Sequence, residues 1–202
     1  TIIYMGNLNK MRGYKMILDT MKIVHAKHPE FFCHIIGWMD YTGIDASIPR
    51  LNTRETDSMG IRYTPPVGVM EMPRFLKQAS VCWLPWQRSM NHEFGTPIKL
   101  FEYMATGRPV VCSRMGIIST VVNETGCGLL VQPDDPQAHA EALIYLLTHP
   151  EEAAQMGACG REWVVARYNW SVEEKKLLAF YDQLSRQNGV TEREGVVYDH
   201  GR

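Results

Sequence analysis

Short apolar runs alternate with segments of helical period along most of this chain. TIIYMG (1–6) reads as a strand, and from Tyr14 onward Ile17, Leu18, Met21 and Val24 mark one face of a helix. FFCHIIG (31–37) is the next strand, and its opening residues lack strict apolar–polar alternation, as expected for a sheet covered on both faces. Residues 38–60 are irregular, with room for one short helix. IRYTPPV (61–67), a helix near Met70–Ala79 and SVCWLP (80–85) continue the rhythm. A loop over 86–96 leads into a helix carrying Lys99 and Glu102. RPVVCS (108–113), a short helix around Gly116–Asn123 and GLLVQP (128–133) complete the series. From Pro136 the pattern is helical over 136–148, 150–167 and 171–186. Pro136 and Pro150 suit first-turn positions, and Ser171 with Glu174 is spaced as a capping box.

Strands alternating with helices imply an α/β fold, a Rossmann-like, doubly wound parallel sheet with right-handed crossovers and C-terminal helices. Such sheets bind ligands at the carboxyl ends of their strands. The domain is expected over residues 1–185, with 186–202 a polar, disordered tail. The chain starts directly on a strand at Thr1, with no initiator methionine, so it is expected to be a piece of a longer protein.

Composition narrows the classes without choosing one. With 202 residues, 45% hydrophobic and 21% charged, the chain is that of an ordinary globular protein with a sizeable core. A net charge of −1 offers nothing to nucleic acid, which is not expected as a partner. No apolar run reaches a membrane span and no signal-peptide pattern opens the chain. The five cysteines lack CxxC spacing and three lie in apolar runs, which fits reduced, buried thiols and a cytoplasmic location. The seven histidines show no metal-ligand spacing, and no metal is expected.

Candidate chemistry concentrates in two places. GNLNKMRG (6–13) has Gly6 and Gly13 bracketing a loop that opens a helix, a place where phosphate binds, and Arg12 can meet a phosphate bidentately. The spacing is not GxGxxG, and no GK[ST] phosphate loop occurs anywhere. In FGTPIKLFEYMATGRPVVCS (94–113), Lys99 and Glu102 share a helix face, while Ile98, Phe101, Met104 and Ala105 form a stripe suited to packing on a sheet. A carboxylate matches the paired hydroxyls of a ribose, and Lys99 adds charge to the helix N-terminus. A solvated salt bridge between the two is the alternative. Trp83 and Trp86 flank Leu84–Pro85 at a strand end, suited either to packing or to lining a base pocket.

These motifs resemble the nucleotide-binding signature of GT-B glycosyltransferases of the family-4 type, in the form P-x-K-x-x-E-x-M-A-x-G-x-P-V-V. YMGNLNKMRG, HIIGWMD, IRYTPPVGVMEMPRFLKQASVCWLP and NETGCGLLVQPDDPQAHAEAL resemble further family segments in the same order, so the likeness covers roughly residues 1–185. The resemblance implies one half of a GT-B fold, the C-terminal donor-binding domain of a retaining transferase that uses a UDP- or GDP-sugar. It implies an N-terminal acceptor domain as partner, no cofactor or metal, and contact with the inner membrane face through that other half.

The resemblance also implies roles. Glu102 holds the ribose, and Arg12 matches a cation that neutralises the donor diphosphate. Asn7 stands where the family's second cation does; that Lys99 offsets the lost charge is a reading of this sequence's own residues and not part of the family pattern. Phe94 stands where a sugar-binding glutamate is expected, with Glu93 one position away. Either the loop shifts Glu93 into place, or backbone groups of Phe94, Gly95 and Thr96 recognise the sugar. Arg12, Lys99 and the helix start would stabilise the departing diphosphate. A non-catalytic nucleotide-sugar-binding scaffold and an epimerase or phosphorylase of the same fold remain alternatives.

Overall fold

The structure, a computed structural model, describes residues 1–187. It divides into a compact unit from Thr1 to Val165 and a second unit beginning at Ala166.

The first unit follows the alternating pattern. Its elements are β1 (Ile2–Met5), α1 (Tyr14–Lys27), β2 (Cys33–Ile36), α2 (Arg54–Asp57), β3 (Ile61–Thr64), α3 (Met72–Leu76) and β4 (Val81–Leu84). There follow α4 (Met90–Phe94), α5 (Ile98–Ala105), β5 (Val110–Ser113), α6 (Gly116–Thr125), β6 (Gly128–Val131), α7 (Pro136–Thr148) and α8 (Pro150–Ala166). The strands form one parallel sheet in the order β3-β2-β1-β4-β5-β6. Ile3 pairs with His34 of β2 on one side and Cys82 of β4 on the other. The strand order reverses there, which makes the β1/β4 boundary the switch point where such sheets open a crevice. β1, β4 and β5 are buried at every position because helices cover both faces, and this is why their sequences do not alternate.

Local chemistry sets the helix boundaries. Asp135 caps α7 by accepting from Ala138 N–H, and Pro136 occupies its first turn. Ser89 caps α4, a helix within the stretch expected to be a loop, by accepting from His92 N–H at 3.1 Å. Ser89 heads only one helical turn, too short for a periodic signal. α5 also differs from its expected stripe. Leu100, Tyr103 and Met104 are buried, whereas Ile98 is 75% exposed. The reason is Tyr103, whose hydroxyl accepts from Met5 N–H at 2.9 Å and donates to Met5 O at 3.2 Å, turning that face toward β1.

The second unit contains α9 (Trp170–Gln187). Its cap is Asn169, which accepts from Val172 N–H at 3.2 Å, rather than the expected Ser171. An asparagine at this point competes well as a helix cap and starts the helix earlier. Of the expected tail, residues 188–202 lie outside the described residues, while Arg186 and Gln187 close α9.

The core holds one polar pair with a measurable consequence. Trp83 Nε1 donates to His139 Nδ1 at 3.0 Å, and both side chains are fully buried. Burial pushes the His139 pKa down to about 4, with Asp135 opposing only in part. Between the ordinary histidine value of about 6.5 and 4, the unfolded chain binds a proton that the native state refuses, so stability falls as pH falls through that window. Lowering the pH from 7 to 5 is expected to remove about 2 kcal/mol through this residue. Urea unfolding of the wild type and His139→Gln at both values checks this. A wild-type loss no larger than the variant's would refute it.

Candidate functional site

The carboxyl ends of β1 and β4 and the start of α5 meet at the switch point. α5 is pinned to β1 by Tyr103, and Lys99, four residues earlier on the same side of the helix, therefore arrives over the end of β1. Gly6 lies directly beneath it. A Cβ at Gly6 would stand 2.9 Å from Lys99 Nζ, and Gly6 has φ +115°, so a side chain is excluded twice over. Gly13, at φ +92°, begins α1 against β4, where a Cβ would lie 2.1 Å from the Pro85 carbonyl oxygen. The two glycines thus let the β1–α1 loop close onto the strand ends.

Both anticipated cations reach this loop. Lys99 Nζ donates to the Tyr4 hydroxyl at 3.2 Å, and Tyr4 donates to Asn7 O at 2.6 Å. Arg12 Nη1 donates to the same carbonyl at 3.2 Å. Asn7 supplies this backbone acceptor while its side chain lies in an exposed residue. Lys99 Nζ also stands 4.5 Å from the Tyr4 ring centre and 5.9 Å from that of Trp86. Among the described residues it makes no ion pair, so no exposed salt bridge with Glu102 forms. Burial pushes its pKa down to about 7; the Arg12 charge adds to that shift and Glu102 opposes it. Glu102 is half-buried one turn further along α5. Burial, the largest effect on it, raises the Tyr4 pKa and keeps its hydroxyl protonated.

The sugar end of the expected site is arranged differently. Glu93 Oε1 accepts from Gly116 N–H at 3.2 Å, which engages this carboxylate at the start of α6. Phe94 closes α4 and is 71% exposed, and Gly95 and Thr96 connect it to α5. Gly6, Asn7, Arg12 and Lys99 are therefore brought together, whereas Glu93 bonds to a different helix.

Periodicity did not reveal the residues that hold this cluster. Trp86 is only 7% exposed and stacks on His92 with ring centres 4.2 Å apart. His92 Nδ1–H donates to Gln87 O at 2.8 Å. Gln87 ties together the segments that follow three strands: its N–H donates to Met11 O at 2.9 Å, and its Nε2 to Pro133 O at 2.7 Å and Pro85 O at 3.3 Å. The one signal for these residues was position, immediately after Leu84–Pro85. A cavity of about 770 Å³ lies on the other flank of the loop, lined by Lys10, Lys15, Gln87 and Asp134 among others. None of the anticipated donor residues lines it, so the site is placed by its converging cations rather than by that hollow. Among the described residues no group of three or more His, Cys, Asp or Glu side chains is arranged to hold a metal ion. No described helix is long and apolar enough to cross a membrane.

Comparison with known proteins identifies the family and the fold. The family model described as glycosyl transferases group 1 matches residues 1–149. The D-inositol 3-phosphate glycosyltransferase of Corynebacterium urealyticum is 28% identical over 196 residues, covering 94% of this chain and 45% of that protein. The chain thus spans about half the length of the curated relatives it matches. Among solved structures, Anabaena Alr3699/HepE in complex with UDP superposes with a TM-score of 0.72 at 12% identity, over 90% of this chain and 48% of that one. The same protein in complex with UDP-glucose gives 0.70 at 13%, with the same coverage. The C-terminal domain of the glycosyl transferase group 1 protein LpcC from Francisella tularensis gives 0.67 at 17%, over 84% of this chain and 85% of that one. At these identities the structural matches show the fold.

Proposed function

The chain belongs to the glycosyl transferases group 1 family, and from that premise we propose that it binds the donor for retaining transfer of a hexose from a UDP-sugar. The observation that carries this reading is the convergence of Arg12, directly, and Lys99, through the Tyr4 hydroxyl, on the Asn7 carbonyl, beside Glu102, at the switch point of the sheet. Glu102 accepts from the two ribose hydroxyls. Arg12 and Lys99 meet the diphosphate, and as the bond to the anomeric carbon breaks they neutralise charge growing on the departing phosphate oxygen. Because Glu93 is engaged with Gly116, the sugar is assigned to backbone groups of Phe94, Gly95 and Thr96. One protein of the same fold, solved in complex with UDP and with UDP-glucose, supports uridine over guanosine as the base.

No metal ion or cofactor has a part in this reading; the two side-chain cations supply the positive charge. Acceptor binding is assigned to a second domain of the working enzyme, so this chain alone is expected to hold donor without transferring sugar. A cytoplasmic setting belongs to the same proposal, because five free cysteines suit a reducing compartment. Titration calorimetry in EDTA with UDP, UDP-glucose, GDP and ADP tests the reading. One-to-one binding of UDP and UDP-glucose, tighter than of GDP or ADP, is expected. No heat from any of the four at millimolar concentration would overturn it.

A further inference from the structure

We propose that Trp86 is a positioning residue for donor capture: with Tyr4 it brackets the Lys99 ammonium over Gly6, keeping it out of water and away from carboxylates until a diphosphate arrives. The inference rests on the donor-site reading above and adds a residue that neither the signature nor the periodicity singles out.

The geometry is specific. The Tyr4 ring lies 4.5 Å from Lys99 Nζ and the Trp86 ring 5.9 Å, so two aromatic faces attend one ammonium. Among the described residues the ammonium makes one side-chain hydrogen bond, accepted by the Tyr4 hydroxyl at 3.2 Å. Trp86 cannot swing away easily. Its ring stacks on His92, which Gln87 O holds from behind, and Gln87 in turn is tied to Met11, Pro85 and Pro133. The indole Nε1–H is buried without a well-formed hydrogen bond, and its nearest polar influence is on the Tyr4 hydroxyl, so indole and phenol stand side by side around the ammonium.

The charged and titratable groups facing Lys99 are Tyr4 from β1, Arg12 from the β1–α1 loop and Glu102 from α5, with His92 behind Trp86. None forms an ion pair with it. With its pKa near 7, Lys99 is half neutral around pH 7, and an arriving diphosphate draws a proton onto it. Donor affinity should therefore fall as pH rises above about 7, by up to tenfold per unit. A lysine held by a carboxylate would show no such fall below pH 9.

The test follows UDP affinity from pH 6 to 9 in the wild type, Trp86→Leu and Trp86→Phe; the ionisation of UDP itself is common to all three. Trp86→Leu is expected to weaken binding at pH 6 about three- to tenfold and to move the midpoint of the fall upward, because water reaches the ammonium. Trp86→Phe restores an aromatic face and should keep the wild-type midpoint. NMR titration of the Lys99 side chain in the unsubstituted protein, expected near pH 7, keeps the question open to test should Trp86→Leu not fold. An unmoved or lowered midpoint in Trp86→Leu, or a Lys99 titration near its ordinary value, overturns the proposal. Failure of the wild type to bind UDP at any pH instead overturns the donor-site reading.

Discussion

Glu102→Ala is expected to weaken UDP binding by about two orders of magnitude while leaving the melting temperature within a few degrees. Two charge-assisted hydrogen bonds from a carboxylate to vicinal hydroxyls are each worth about 1.5–3 kcal/mol, so losing both is on the order of a hundredfold or more. The fold should not notice. Among the described residues the Glu102 side chain makes no hydrogen bond or ion pair, and alanine is the better helix former. One indirect effect must be separated, because Glu102 holds the Lys99 pKa up and its removal makes that lysine easier to neutralise. Measuring at pH 6, where Lys99 stays mostly charged, isolates the ribose contact. A variant that binds UDP as the wild type does at pH 6 would remove Glu102 from the site, and one that unfolds would show it to be structural.

Lys99→Met is expected to move binding and stability in opposite directions. Loss of a charge-assisted contact to the diphosphate should cost about 10- to 100-fold in UDP affinity. Stability should rise, because the native state holds an ammonium that burial disfavours. The sign follows from the direction of the shift. A lysine whose native pKa lies below its unfolded value destabilises the fold fully below about pH 7, and less and less as pH rises toward 10.5. The gain from methionine is therefore largest at or below pH 7, on the order of 1–2 kcal/mol once solvent screening of this half-buried group is discounted, and it fades by pH 10. Thermal melts at pH 6.5 and 9.5 with and without UDP separate the two effects. A Lys99→Met protein that is less stable at pH 6.5 would mean that the lysine holds the fold together rather than waiting for a ligand.

The order of elements and the class of sheet were legible in the chain because both depend on local periodicity. Ile17, Leu18, Met21 and Val24 repeat with the helical period and are all buried in α1, and the run in VCWL is buried throughout because both faces of β4 are covered. Gly6, Gly13, Arg12 and Lys99 stood out for the same kind of reason, since turn chemistry and helix-start charge can be read from spacing within a few residues. α4 escaped notice because one turn of helix carries no period. The stripe on α5 was rotated in expectation because Tyr103 is drawn inward by the Met5 backbone, a partner 98 positions away.

Spacing relates residues only within an element. Whether Lys99 faces Glu102, a phosphate or an aromatic ring depends on which strand end lies opposite, and β1 is 95 positions distant at Tyr4. The strand order 3-2-1-4-5-6 sets β1 beside β4, and that adjacency brings Tyr4, Trp86 and Lys99 into one cluster while turning Glu93 toward α6. Residue types along the chain thus settle a parallel α/β sheet and the glycine-bracketed loop that leads from β1 into α1. The environment that makes Lys99 a desolvated cation exists only once the sheet has closed, because desolvation is a property of the packed neighbours and not of the lysine.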